Sequence, residues 1–242
     1  MIIFSVHVKF WHGVDVGAGF MCTEIIFIVM LRSMKRSKSS RHWLKEHFTD
    51  PFVKQAQKEG FRARSVYKLK EIHDRHRIIK PSMVVVDLGA APGGWSEFVA
   101  GIVGAQGKVF ALDILAMAPI EGVTIVQGDF SQDEVYQILL EHLSQNKVDI
   151  VLSDMAPNMS GIKEVDQARA MHLIERAYDF ALKVLKPGGA FLTKIFQGAG
   201  FDEMLKLLRT NFTEVKIIKP SASRSRSKEI YFLARGLKTI EN

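Results

Sequence analysis

The segment Val84-Val85-Val86-Asp87-Leu88-Gly89-Ala90-Ala91-Pro92-Gly93-Gly94-Trp95 decides the fold. A short β-branched run closing on Asp-Leu-Gly has the composition of a strand buried on both faces, and the glycines behind it let a ligand approach backbone that carries no Cβ. The spacing Gly89-x-x-x-Gly93-Gly94 fits neither the G-x-G-x-x-G of dinucleotide folds nor the G-x-x-x-x-G-K-[ST] of phosphate loops. Phosphate cradling is therefore disfavoured. What remains is a cofactor-binding turn of another kind, or a tight strand-to-helix turn that holds nothing.

Downstream the pattern recurs. A helix is expected over 96–103, then the strand Lys108-Val109-Phe110-Ala111-Leu112-Asp113, with its acid about twenty residues past the glycines, where α/β cofactor domains place a carboxylate for ribose hydroxyls. Val123-Thr124-Ile125-Val126-Gln127-Gly128-Asp129 and, after a helix near 132–144, Val148-Asp149-Ile150-Val151-Leu152-Ser153-Asp154 repeat it. Three acids in succession at strand ends, Asp113, Asp129 and Asp154, imply one crevice, since open α/β sheets bind ligands at the carboxyl ends of their strands. A long helical pattern carries Ala168, Met171, Ile174, Tyr178, Ala181 and Leu185 and stops at Pro187-Gly188-Gly189. The strand Ala190 to Phe196 then holds Lys194 inside an apolar run, where a lysine either snorkels out or is held for chemistry. A helix over 201–211, a strand over 213–218 and a last strand over 229–234 complete the series. The basic loop 220–228 before that strand reads as too polar for the core.

Upstream, residues 1–33 are expected to be an extension or a mis-assigned start: the apolar run Phe20 to Leu31 is short for a bilayer and contains Glu24. Residues 34–80 read as a basic helical, RNA-facing segment. Ser40 can cap a helix through Phe48; Asp50-Pro51 starts another, which Gly60 ends; a third carries Val66, Leu69 and Ile72 on one stripe with Lys68 beside it. Trp43, Phe48, Phe52, Phe61 and Tyr67 read as packing residues rather than base-stacking ones.

The 242 residues carry a net charge of +7, unevenly spread: fourteen Lys/Arg against five acids over 35–80, a net of −7 over 81–215, and +5 over 216–242. Two basic flanks around an acidic body suit a polyanion, nucleic acid above all, with Arg62, Arg64, Arg224 and Arg226 as the RNA-binding candidates. Cys22 is the single cysteine, so no intrachain disulfide can form and a reducing, cytoplasmic setting is expected. No metal is expected, because the His42/His47 and His73/His76 pairs lack converging ligands and read as solvated.

Taken together, Ser40-Arg41-His42-Trp43-Leu44, the glycine turn, Ser153-Asp154-Met155-Ala156-Pro157-Asn158, Lys194-Ile195-Phe196-Gln197-Gly198 and Ser223-Arg224-Ser225-Arg226-Ser227-Lys228-Glu229 resemble the FtsJ-like family of ribosomal RNA 2′-O-ribose methyltransferases, which use S-adenosylmethionine. Within that family the resemblance points to the bacterial heat-shock members, which act on a uridine of large-subunit (23S) RNA in the assembled 50S particle. It spans about 34–236 and leaves out residues 1–33. It implies an α/β fold with a Rossmann-like seven-stranded methyltransferase sheet, mostly parallel, flanked by helices, its last strand antiparallel between the fifth and sixth. The methyltransferase domain is then 81–236, and 237–242 is a tail. The family's Lys-Asp-Lys-Glu tetrad carries over to Lys68, Asp154, Lys194 and Glu229. S-adenosylmethionine is implied against Gly93, Gly94 and Trp95, with Asp113, Asp129 and Asp154 on its ribose, adenine and methionine portions. Ribosomal RNA in the large subunit is the implied partner, with no membrane, and a monomer is expected.

That tetrad would let Lys194 contact and activate the 2′-hydroxyl, Asp154 hold the lysine, and Lys68 and Glu229 orient the pair. Whether Lys194 is a true base stays open, since Asp154 raises a lysine pKa while burial and Lys68 lower it. Other readings are methylation of transfer RNA or an mRNA cap, a ribosome assembly factor without turnover, and a dinucleotide oxidoreductase. An intact tetrad opposes the assembly factor, and the glycine spacing opposes the oxidoreductase.

Overall fold

The computed structural model describes residues 49–144, 146–224 and 227–239. The expectations for residues 1–48, including the helix capped by Ser40, and for Arg226 lie outside the described residues. The chain divides into two compact units, Met1–Thr49 and Asp50–Asn242, and every element below belongs to the second.

Two helices come first. In α1, Pro51–Glu59, the Asp50 side chain accepts from the Phe52 N–H at 2.9 Å, proline occupies the first turn, and Gly60 closes the helix at φ 76°. In α2, Val66–His76, the stripe Val66, Leu69 and Ile72 is fully buried, as the periodicity requires. Then follow β1 (Val84–Leu88), α3 (Gly94–Val103), β2 (Lys108–Asp113), β3 (Val123–Gln127), α4 (Asp133–Leu143), β4 (Val148–Ser153), α5 (Lys163–Val184), β5 (Leu185–Phe196), α6 (Phe201–Asn211), β6 (Phe212–Ile218) and β7 (Glu229–Leu237).

The strands form one seven-stranded sheet in the order β3-β2-β1-β4-β5-β7-β6. Strands β1 to β5 are mutually parallel, and β7 runs antiparallel to both of its neighbours. Alternation along β1 explains why its sequence is apolar throughout. Val86 and Leu88 join the core under α4, α5 and α6, whereas Val85 joins the opposite core with Leu69 and Ile72 of α2 and Trp95, Val99 and Val103 of α3. Asp87 occupies the second face, so its carboxyl is enclosed where its neighbours are aliphatic.

Three local expectations are corrected. The long helix ends at Val184, where Leu185 turns extended (φ −64°, ψ 142°), because the ladder to β4 already starts at the Val148–Leu185 pair and shifts register before Ile150–Ala190. His73 is buried rather than solvated: its ring lies edge-on to Phe98 and its Nδ1 accepts from the Ile79 N–H, and burial pushes its pKa down. The 220–228 loop is not wholly outside the core either. Pro220, Ala222 and Ser223 are buried, and Ala222 packs with Ala56, Val66 and Tyr67. Phe52 and Phe61 sit with their ring centroids 5.5 and 5.8 Å from Tyr67, the packing role expected of them.

Candidate active site

Parallel strands deliver their carboxyl ends to one edge, and the antiparallel β7 starts at that same edge, which brings residues far apart in the chain into one cluster. The β5–β7 register pairs Lys194 with Tyr231 and Phe196 with Glu229. Asp154 follows the last residue of β4, and α2 supplies Lys68 from the side. The result is a linked chain of charges. Lys194 Nζ lies 3.1 Å from Asp154 Oδ1, and Lys68 Nζ lies 2.8 Å from Glu229 Oε1 and 3.9 Å from Asp154 Oδ2. The Lys194 ammonium also donates to the backbone carbonyl of Asp154. Lys194 is 7% exposed, so it is held rather than snorkelling.

Tyr231, which the sequence reading passed over, completes the cluster. Its hydroxyl donates to Asp154 Oδ1 at 2.7 Å, its ring lies 5.8 Å below Lys68 Nζ, and it is fully buried beside Trp95. A period-2 reading of β7 could have found it, because Glu229 and Tyr231 project to one face. Burial alone would raise the Asp154 carboxyl, but Lys194, Lys68 and the Tyr231 hydroxyl outweigh it and hold the group below the ordinary carboxylate range. Burial, with Asp154 and Glu229 beside it, pushes the Tyr231 phenol well above its usual value, so it remains a donor. Glu229 is oriented in turn: Ser223 Oγ donates to Oε1 at 2.8 Å and Lys219 donates to its carbonyl at 3.1 Å.

The glycine turn borders this cluster. Gly89 has φ +78°, and a Cβ there would stand 2.9 Å from the Met155 backbone, so the turn is packed directly on the segment that follows Asp154. Gly93, at φ +105°, forms the N-cap of α3 without a side chain. The first-turn N–H groups of α3 thus keep the capacity to bind an anion such as a carboxylate. Asp87 reaches this helix from below, accepting from Ser96 Oγ at 2.6 Å, while its Oδ1 has no partner. Complete burial, with Asp154 and Asp113 nearby and Ser96 opposing, lifts the Asp87 carboxyl to about 7. Trp95 is 3% exposed and its indole N–H donates to the Ser65 carbonyl at 2.8 Å, so its side chain fastens the start of α2 to the turn.

Asp113 ends β2 and accepts from the Ala91 N–H at 2.9 Å and the Leu115 N–H at 2.8 Å, which leaves half of its acceptor capacity for hydroxyls. Asp129 accepts only from the Ser131 N–H, at 2.9 Å, among the described contacts. Acids around a helix N-terminus suit a ligand with a diol, a cationic centre and a carboxylate. Among the described residues no group of three or more His, Cys, Asp or Glu could hold a metal ion, and no helix is long and apolar enough to cross a membrane.

The arginines divide differently from their sequence reading. Arg62 donates to the carbonyls of Ala118 at 3.0 Å and Pro119 at 2.9 Å and approaches Glu97 at 3.5 Å, and its Cδ would lie 3.4 Å from a Cβ on Gly93. Arg64 pairs with Asp50 at 3.1 Å and donates to the Ala222 carbonyl. Both guanidinium heads are thus paired with the protein's own groups, one against the glycine turn and one against the basic loop, while staying partly exposed. Arg224 stands partly exposed on that loop.

The chain resembles known methyltransferases in sequence and in fold. Residues 61–237 match the family model for FtsJ-like methyltransferases. The chain is 56% identical over 205 residues to the ribosomal RNA large subunit methyltransferase E of Pseudomonas fluorescens, covering 85% of this chain and 98% of that protein. It is 56% identical over 203 residues to the protein of the same name from Legionella pneumophila, covering 84% and 98%. Among solved structures, a ribosomal RNA methyltransferase from Plasmodium falciparum superposes with a TM-score of 0.65 at 28% identity, over 73% of this chain and 98% of that one.

Proposed function

The chain belongs to the FtsJ-like methyltransferase family, and from that membership and the Lys-Asp-Lys-Glu cluster we propose that it transfers the methyl group of S-adenosylmethionine to the 2′-hydroxyl of a uridine ribose in large-subunit (23S) ribosomal RNA, in the assembled 50S particle. The observation that carries the reading is the unbroken chain Lys194–Asp154–Lys68–Glu229, with successive contacts of 3.1, 3.9 and 2.8 Å. A hydroxyl is a weak nucleophile that must shed a proton as it attacks, and a fixed lysine beside a fixed carboxylate supplies both orientation and a route for that proton.

Bound S-adenosylmethionine supplies an electrophilic methyl group on a sulfonium centre. The first-turn N–H groups of Gly94 and Trp95, with the Gly93 turn, would hold its carboxylate, and Asp113, Asp129 and Asp154 would face its hydroxyls, adenine and cationic end. Lys194 meets the ribose hydroxyl and, having first released one of its own protons to solvent, accepts the hydroxyl proton as the oxygen attacks the methyl group. Asp154 keeps Lys194 in place with its side chain and its backbone carbonyl, and its depressed pKa keeps that side chain charged throughout. Lys68, held by Glu229, faces the second oxygen of Asp154, and the Tyr231 hydroxyl donates to the first. Arg224, Arg226 and the remaining basic flanks hold the RNA backbone. Arg62 and Arg64 brace the two loops between which it lies.

The test is methyl transfer from labelled S-adenosylmethionine to 50S particles taken from cells lacking this protein, with wild type beside Lys194→Ala. Labelling of one uridine 2′-hydroxyl that vanishes in the variant is the expected result. Labelling of transfer RNA or a capped message instead, or undiminished labelling by the variant, would overturn the substrate or the role of the lysine.

A further inference from the structure

The exposed large apolar side chains of the described residues include no aromatic ring, and three of the eight fall within seven residues: Met159 at 67%, Ile162 at 59% and Val165 at 37%. Met159 and Ile162 stand on the loop joining β4 to α5, and Val165 on the first turn of α5. Exposed apolar groups on a slack loop would fold inward, but this loop is fastened. The buried carboxylate of Asp166 accepts from the Ser160 N–H at 2.6 Å, Ser160 Oγ at 2.7 Å and the Gly161 N–H at 3.0 Å. The Ile162 N–H donates to Ser160 Oγ at 3.2 Å, and Gln167 donates to the Ala199 carbonyl at 2.8 Å, which ties the start of α5 to the loop that follows Lys194 and β5. At its root the same segment touches both halves of the site. Met155 packs on Gly89 of the glycine turn, and the Asp154 carbonyl accepts from Lys194.

We propose that Met159 and Ile162 form an apolar platform on which the base of the acceptor nucleotide lies unstacked while its ribose meets Lys194. The inference rests on the RNA-methylating reading above. A nucleobase is joined to the carbon next to the one bearing the 2′-hydroxyl, so a ribose seated at Lys194 carries its base to the rim of the same crevice. That base has an apolar face and polar edges, and once drawn out of its stack it needs a surface to replace its former neighbours. Aliphatic and thioether side chains serve as such wedges and supports elsewhere in nucleic-acid recognition. The Asp166 clamp presents them already ordered, which lowers the entropy lost on binding.

Two double variants test this on the full chain: Met159→Ser with Ile162→Ser, and Met159→Phe with Ile162→Leu. The serine pair is expected to raise the KM for 50S particles about tenfold or more, the order expected when an apolar side chain loses its cover from water. Donor affinity, unfolding temperature and the salt dependence of RNA binding should stay at wild-type values, because no phosphate contact is removed. The apolar pair is expected to retain the wild-type KM. A serine pair with unchanged KM overturns the platform, and an equal loss of donor affinity would place these side chains against the cofactor and overturn it too. If wild type fails to methylate the particles, the underlying reading falls and takes the platform with it, an outcome that the wild-type control tells apart.

Discussion

Replacing Asp87 by asparagine should flatten the dependence of stability on pH between about 4 and 7. The folded protein holds this carboxyl at about 7 against an ordinary value of 3.8, because it is fully buried, beside Asp154 and Asp113, with one oxygen unpartnered. A raised folded-state pKa means that the native state keeps a proton which the unfolded chain has released. The contribution is therefore fully present below the unfolded value, is lost as pH rises toward 7, and is flat above. Each pH unit between the two values corresponds to about 1.4 kcal/mol, so about three units correspond to about 4 kcal/mol lost by wild type across that window. The asparagine side chain cannot ionise, and its carbonyl can still accept from Ser96 Oγ, so the variant keeps the bond and drops the titration. Urea unfolding at half-unit steps from pH 4 to 8 reads the effect, with wild type minus variant cancelling the opposite, acid-side contribution of Asp154. Parallel stability curves for the two proteins would refute the reasoning. They would mean that Asp87 is ionised in the fold and that its free oxygen has a partner.

Arg62→Ala should weaken donor binding about tenfold or more by releasing the 118–119 segment from the glycine turn, since hydrogen bonds from a charged donor contribute about 1.5–3 kcal/mol each. The slope of RNA affinity against salt should stay within one phosphate contact of wild type, and titration calorimetry with salt-dependent RNA binding checks both; a normal donor Kd with a reduced slope would return Arg62 to the RNA surface. Tyr231→Phe should lower kcat by roughly 10- to 100-fold with donor affinity intact, as Asp154 loses a hydrogen bond to its charged form. Because that hydroxyl helps to hold the Asp154 carboxyl down, its removal raises the carboxyl and moves the acid limb of the rate profile to higher pH; an unmoved limb in a pH–rate series would contradict the role given to the phenol.

How much of this was legible in sequence depended on whether a residue's position followed from strand order. Lys194 was conspicuous as a charge within an apolar run, and Asp113, Asp129 and Asp154 as acids at strand ends, because parallel topology sends all such ends to one edge. The order of the sheet, with β7 between β5 and β6, came from the family resemblance and holds in the structure. Tyr231 was hidden because a tyrosine in an apolar strand looks like packing until the hydroxyl's partner is known. Asp87 was quoted with the turn but given no task, since only the three-dimensional fold shows Ser96 above it. The charges of Arg62 and Arg64 were plain, but not their destinations. A long guanidinium side chain finds its partners by tertiary proximity, and the carbonyls that Arg62 holds lie 56 and 57 residues away in sequence.

The pairing of β5 with β7 has a consequence for how the protein matures. Lys194 stands opposite Tyr231 only in the register that also buries Ile230, Phe232 and Ala234 on one face of the sheet and Tyr231 and Leu233 on the other. A slip of one residue would turn Glu229 and Tyr231 away from Asp154 and, in the same motion, exchange the faces of every side chain on β7. Failed chemistry and disordered packing are therefore a single error. A newly made chain that has tucked away its apolar side chains is already armed, and one that is not armed advertises itself to the cell's chaperones and proteases.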